Sequence, residues 1–365
     1  MKKINFRCSQ KFEQYIKERV FPVRDALSKI IIGQSLAVNT CVAALFAVGQ
    51  RDFDVINKSR VLGCANVLMS GATGVGKTII CKALSAILGG SNKRISSTAD
   101  TTASDLTGGE IILLDSSKYV VHGPAWNCNI LLIDEINRLS PKASSALIEM
   151  LAEAQITIGD VQYRLKNPFL VLATMNPSEA GKGLTKISEA LSDRFTYKVI
   201  MEQTTTEQKV AIAKSTKNFN PKDIQQILTI DDTNEAREFF FDNTYVDDKV
   251  RYYCANILNQ INCYKANGIF SDEQNVLENT NIFRQSPPLN DRCLIHLESA
   301  AMANAMLNGR DFVVPRDVYD VAHRVIRGRL LLNPSATPSL LDMYPTYSES
   351  DLVDYFITKA LSVAS

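Results

Sequence analysis

The chain has 365 residues, 45% of them hydrophobic, and a formal charge of +1. That length suggests about two domains, the composition suffices for ordinary cores, and the balanced charge excludes a global pull toward nucleic acid, so any polyanion contact must be local. The eight cysteines show no C-x-x-C spacing and the three histidines (His122, His296, His323) do not cluster, so the thiols read as reduced core residues of a cytoplasmic protein. Neither a secretion signal nor an apolar run near the ~18 residues of a membrane span is visible.

In chain order, a first helix is expected from about Lys11 to Leu27, interrupted at Phe21 and Pro22, and IIGQ (31–34) opens a second helix. Five short apolar runs, at 66–70, 93–97, 129–133, 169–174 and 196–200, alternate with helical or irregular segments, the pattern of a parallel sheet covered on both faces. Two hairpins interrupt it. One joins 110–114 to 118–121 through Asp115, Ser116 and Ser117; the other, 155–165, turns at Gly159 and Asp160. From Thr204 onward the pattern is helical, over 205–214, 221–228, 234–241, 247–262, 292–308 and 314–327. The expected division is an N-terminal helical segment (1–29), an α/β nucleotide-binding domain (30–203), a helical lid (204–335) and a tail (336–365).

The segment GATGVGKT (71–78) follows the apolar run of the first strand and fits G-x-x-x-x-G-K-[ST] in full. In such a loop, Gly71, Gly74 and Gly76, with Ala72, Thr73 and Val75 between them, let backbone N–H groups curl around phosphates. Lys77 reaches the β and γ oxygens, and Thr78 offers its hydroxyl to magnesium. The loop opens a helix (78–88), whose N-terminus favours an anion. The run ILLI (130–133) ends in Asp134 and Glu135, which puts two carboxylates at the carboxyl edge of the sheet, where open α/β folds place ligands. Asp134 is the candidate magnesium ligand and Glu135 the candidate to polarise the attacking water.

The order of phosphate loop, RISSTADTTASDLTGGE, HGPAWNCNILLIDEINRLSPKASSALIEMLAE, a hairpin, LVLATMNPSE and ALSDRF resembles the MoxR group of AAA+ ATPases, in the clade with inserts in helix 2 and before sensor 1. The resemblance spans roughly residues 30–330 and implies further roles. Ile31, Ile32, Gly33 and Gln34 would enclose adenine and ribose, Asn176 would be sensor 1, and Arg194 would be an arginine finger reaching a neighbouring subunit's site. Arg292 takes the sensor 2 position, with Arg284 and Arg310 as the other candidates, because SPPLNDR stands where the family usually has SPR. Thr73 in place of a common proline, and GKGLTKIS (181–188), also depart from the family pattern.

The resemblance therefore implies an ATP- and magnesium-dependent ATPase forming a ring, expected to be a hexamer, that remodels or matures a client protein, often with a von Willebrand factor A partner. A DNA motor or restriction component is one rival, which the mixed charge of the hairpins (Glu110, Asp115, Asp160) disfavours. An ATP-gated scaffold is another, which intact Glu135, Asn176 and Arg194 disfavour; a metal-insertion motor similar to the magnesium chelatase ATPase subunit is a close relative of the main reading. The DTTAS run (100–104) imitates an adhesion-type metal site without its domain, and RVIRGR (324–329) reads as a solvated helix end.

Overall fold

The computed structural model describes residues 8–54, 59–71, 74, 76–114, 117–176, 187–216, 224–264, 281–284 and 289–364. Two compact units divide the chain: Met1–Thr244 with Met306–Asp311, and Tyr245–Ala305 with Phe312–Ser365.

The first unit opens with α1 (Gln10–Tyr15), a π turn (Ile16–Val20) and α2 (Phe21–Ile30) without a gap. The interruption expected at Phe21 and Pro22 is thus a register change rather than a break. Pro22 sits in the first turn of α2, directly after the π turn, and the change of register lets the helix run past a residue that cannot donate an N–H. After α3 (Ser35–Phe46), β1 (Val48–Asp54) and β2 (Ser59–Cys64) form an antiparallel hairpin that the sequence pattern did not announce. The remaining elements are β3 (Val67–Ser70), α4 (Lys77–Ile87), β4 (Asn92–Ser96), α5 (Ala103–Thr107), β5 (Gly108–Ile112), β6 (Lys118–His122), β7 (Ile130–Asp134), α6 (Pro141–Glu153), β8 (Gln155–Ile158), β9 (Val161–Arg164), β10 (Leu170–Met175), α7 (Glu189–Ser192), β11 (Tyr197–Ile200), α8 (Thr206–Thr216) and α9 (Ile230–Asn243).

Five strands build one parallel sheet in the order β11, β3, β10, β7, β4. The central strands β3, β10 and β7 are buried along almost their whole length, as expected where both faces are covered. Edge strand β4 buries only Ile95. One face packs Leu131, Ile133, Val171 and Ala173 against Leu147, Met150 and Leu151 of α6. Helix α6 starts cleanly because Ser140 caps it, accepting the Ala143 N–H at 3.3 Å, and Pro141 occupies its first turn.

The two expected hairpins are present as β5–β6 and β8–β9, and they meet. His122 stacks on Trp126 at 4.2 Å between ring centroids, and Tyr163 of β9 lies edge-on to both, at 5.2 and 5.0 Å. Gly159 holds φ +58° at the turn, and a Cβ there would fall 2.1 Å from Glu110 Oε1. The backbone conformation is what favours glycine, since the Glu110 carboxyl ends a flexible side chain that can swing aside.

Residues 204–244, assigned by pattern to the helical lid, cluster with the α/β unit. The reason is the packing of α9: Phe240 meets Phe12 and Phe46 edge-on, and Phe239 stacks on Tyr15 at 4.0 Å. Arg237, only 1% exposed, donates to Asn167 Oδ1 at 3.1 Å and to the Leu62 carbonyl. The helix expected over 221–228 is not formed at 224–229, which is irregular, and its first residues lie outside those described.

The second unit is helical, with α10 (Asp248–Asn262), α11 (Asp291–Leu307), α12 (Pro315–Ile326), α13 (Thr337–Met343) and α14 (Glu349–Val363). The segment set apart as a tail supplies the last two of these. Helix α14 buries Leu352, Phe356, Ile357, Ala360 and Leu361, and its Leu361 carbonyl accepts the Tyr253 hydroxyl of α10 at 3.2 Å.

Candidate active site

The carboxyl ends of β3, β10 and β7 lie side by side, with Met175 opposite Ser70 and Ala173 opposite Ile133. The Gly71 N–H donates to the Met175 carbonyl at 3.2 Å, which joins the start of the glycine loop to the residue before Asn176. Gly74 and Gly76 have φ of +83° and +96°, and a Cβ built at either meets no atom within 4 Å. Their conformation, not crowding, calls for glycine, and the loop is left open on that side. Gly76 caps α4, while Lys77 Nζ donates to the Gly71 carbonyl at 2.7 Å, across the loop. Ala72, Thr73 and Val75 lie outside the described residues.

Asp134 and Glu135 leave β7 together, and one side chain organises both. The buried Thr174 hydroxyl donates to Asp134 Oδ1 at 2.5 Å and accepts the Glu135 N–H at 3.0 Å. Glu135 has φ 55° and ψ 51°, a left-handed conformation costly for a residue with a side chain and typical of functional sites. Its Oε2 lies 3.1 Å from Nε of Arg138. Asp134 Oδ2 pairs with Nη2 of Arg94 at 2.6 Å. Burial pushes the Asp134 carboxyl up, but the hydrogen bonds from Thr174 and Arg94 and the charges of Arg94 and Lys77 outweigh it and hold the group below its ordinary value.

Among the described residues no group of three or more His, Cys, Asp or Glu could cage a metal ion. A magnesium ion held by Thr78 and Asp134 would instead draw its other ligands from phosphates and water, the usual arrangement for this ion. The open glycine loop, the Lys77 amine and an ionised Asp134 fit a magnesium-bound nucleoside triphosphate.

The other expected residues fall as follows. Gly33 has φ +79°, and a Cβ there would strike the Gln208 side chain. Gln34 is buried and its amide donates to the Glu202 carbonyl at 2.8 Å, so it fastens α3 to the segment before α8; Ile32 is half-buried beside it. Asn176 directly follows β10. Arg194 lies just after α7 with Nη1 3.3 Å from the Ala190 carbonyl and 3.7 Å from Asp193 Oδ2, folded on its own helix end. Arg292 is the second residue of α11 in the second unit, which also holds Arg284, whereas Arg310 belongs to the first.

Comparison with known proteins places the chain in a family. The model described as "ATPase family associated with various cellular activities (AAA)" matches residues 66–197, and an AAA lid domain model matches residues 291–343. YeaC of Bacillus subtilis, itself uncharacterised, is 31% identical over 299 residues, covering 79% of this chain and 84% of that protein. The Mycobacterium tuberculosis protein named chaperone MoxR1 is 28% identical over 321 residues, 88% of this chain and 77% of that one. The chain belongs to the MoxR family of AAA+ ATPases. A crystal structure of a candidate ATPase from Cytophaga hutchinsonii superimposes with a TM-score of 0.75 at 27% identity, covering 96% of each chain. The MoxR fold accordingly holds, with its parallel five-stranded sheet, flanking helices and helical C-terminal region.

Sequence reasoning named the residues at the strand ends but not those that hold them. Thr174 was visible as the one hydroxyl in the apolar run LVLATM, and Arg94 as a charge within a strand. Both act on residues 40 positions away, so local pattern gave no reason to single them out.

Proposed function

We propose that this MoxR-family protein hydrolyses ATP with magnesium, assembles as a ring, expected to be hexameric, and uses the cycle to remodel or mature a client protein. The observation that carries the reading is the common strand edge: Asp134, Glu135 and Asn176 stand at the carboxyl ends of β7 and β10, and Lys77, on the helix that follows the neighbouring strand β3, reaches back to the Gly71 carbonyl just beyond that strand. In the proposed division of labour, the glycine loop from Gly71 to Gly76 and Lys77 bind the phosphates, and Thr78 and Asp134 serve magnesium. Glu135 polarises water, Asn176 senses the γ-phosphate, and Ile32, Gly33 and Gln34 border the base. Arg194 acts on the neighbouring subunit's site, and Arg292 reports nucleotide state to the helical lid. Phosphoryl transfer depends on positioning and charge stabilisation, so the charged groups at this edge suffice in kind.

Client work rests on kinship with a protein named as a chaperone and on the β5–β6 hairpin, which exposes Ile111, Ile112, Leu113, Leu114 and Tyr119. An apolar hairpin of this size suits contact with another protein better than with DNA. A von Willebrand factor A protein is the partner expected from the family, and a cytoplasmic setting suits an ATP-driven cycle. No helix among the described residues is long and apolar enough to cross a membrane.

The test is ATP turnover against protein concentration, with mass measured in parallel, for the wild type, Glu135→Gln and Arg194→Ala. Specific activity should rise as the ring forms. Both variants should assemble with ATP, and loss of the finger should slow turnover by about 10³- to 10⁵-fold. A monomeric wild type that binds ATP without turnover would sink the motor reading and favour a scaffold.

A further inference from the structure

Both carboxylate oxygens of Asp134 are engaged, by Thr174 at Oδ1 and by Arg94 at Oδ2. A magnesium shell arriving with a nucleotide needs one of them, directly or through a coordinated water. The two donors are not equally able to yield. Thr174 is 1% exposed on the central strand β10, and its oxygen also accepts the Glu135 N–H, so displacing it breaks two bonds in a low-dielectric interior. Arg94 stands on edge strand β4 with its side chain 52% exposed, and a guanidinium on a flexible stem returns to water at little cost. The register explains its reach: Arg94 pairs with Leu132 and Ser96 with Asp134, so by alternation Arg94 shares a face with Asp134 and extends toward it.

We propose that Arg94 is a built-in substitute for the metal ion. In the nucleotide-free protein its guanidinium neutralises Asp134 at Oδ2, and magnesium entering with nucleotide displaces it. The proposal rests on Asp134 serving a nucleotide-bound magnesium ion. Two consequences follow from charge alone. Without metal, Arg94 keeps Asp134 from repelling an incoming polyphosphate; with metal, the ion pair competes with the ion, so the benefit of magnesium to nucleotide affinity is smaller than the bare carboxylate would give.

The experiment needs no turnover. ADP binding is measured by calorimetry for the wild type and Arg94→Gln, in excess EDTA and in saturating magnesium, with thermal unfolding to verify the fold. The ratio of ADP affinity with magnesium to that without it should rise about two- to fivefold in Arg94→Gln, the range of a half-exposed ion pair. If that variant fails to fold, Arg94→Lys takes its place: its single ammonium grips the carboxylate less well than a guanidinium, so the ratio should move the same way. A ratio equal to or below that of the wild type overturns the proposal while leaving the nucleotide reading intact. A wild type that binds no ADP under either condition overturns the nucleotide reading and this proposal with it.

Discussion

The Thr174 hydroxyl donates to Asp134 Oδ1 at 2.5 Å from the strand that leads to Asn176. Because the same oxygen accepts the Glu135 N–H, both acidic residues are tied to β10 through one side chain. Thr174→Val keeps the shape and removes the hydroxyl. Turnover should fall about 10- to 100-fold through misplacement of the carboxylates, and stability should drop by about 1–3 kcal/mol from the orphaned N–H. Thr174→Ser should restore most of both. Steady-state kinetics with thermal unfolding would check this, and a Val variant of unchanged activity would remove Thr174 from the machinery.

Gly76 presents a different kind of constraint. At φ +96° with open space around it, it is held by backbone conformation, so Gly76→Ala should cost about 1–2 kcal/mol in that conformation. Relief by local rearrangement would spoil the loop, and nucleotide binding should weaken while the fold persists. A fluorescent ADP titration alongside circular dichroism separates the two effects; wild-type affinity in the variant would contradict the expectation.

Arg237 anchors α9 to the α/β unit through the Asn167 side chain and the Leu62 carbonyl. Arg237→Met fills part of the space but leaves buried acceptors without donors. Destabilisation by about 2–4 kcal/mol is expected, read as a lower midpoint in urea unfolding. A loss below the error of that measurement would show that α9 docks by its aromatic contacts alone.

Asp232 gives a pH-dependent contribution to stability. Thr229, through its hydroxyl and its N–H, and then the partner guanidinium of Arg19, bring its pKa from 3.8 down to about 2. A depressed carboxyl stabilises the fold above its unfolded value, and that contribution disappears as pH falls through the folded value. Asp232→Asn should therefore cost stability at pH 7, by about 1 kcal/mol, the size of a helix-cap substitution near the surface. Wild type and variant should converge between pH 4 and pH 2, and a constant gap over that window in thermal unfolding would refute the assignment.

The legible parts of this molecule are those in which local pattern and tertiary environment agree. The five sheet strands stood out because β3, β7 and β10 are buried along both faces and their apolar runs stop sharply at glycine or polar residues. The turn at Gly159 and Asp160 was legible because only a few residues adopt its conformation. The β1–β2 hairpin was not, since VGQRDFD offers no clean alternation. The helix expected over 221–228 followed composition, whereas 224–229 runs instead along the sheet unit, with the Ile227 N–H bonded to the Ile87 carbonyl. In the site, the phosphate loop and the acidic pair are contiguous motifs and could be read directly. The groups that orient them, Thr174 and Arg94, become neighbours only when parallel strands align.

Trp126 is the sole tryptophan of the chain, and it lies where the two hairpins touch, with His122 stacked on it and Tyr163 at its edge. One natural chromophore therefore occupies the seam between the hairpin next to α5 and the hairpin that precedes β10. If a nucleotide or a client parts these hairpins, the indole keeps His122 but loses Tyr163 and gains water, and the unlabelled protein signals the event through its own emission.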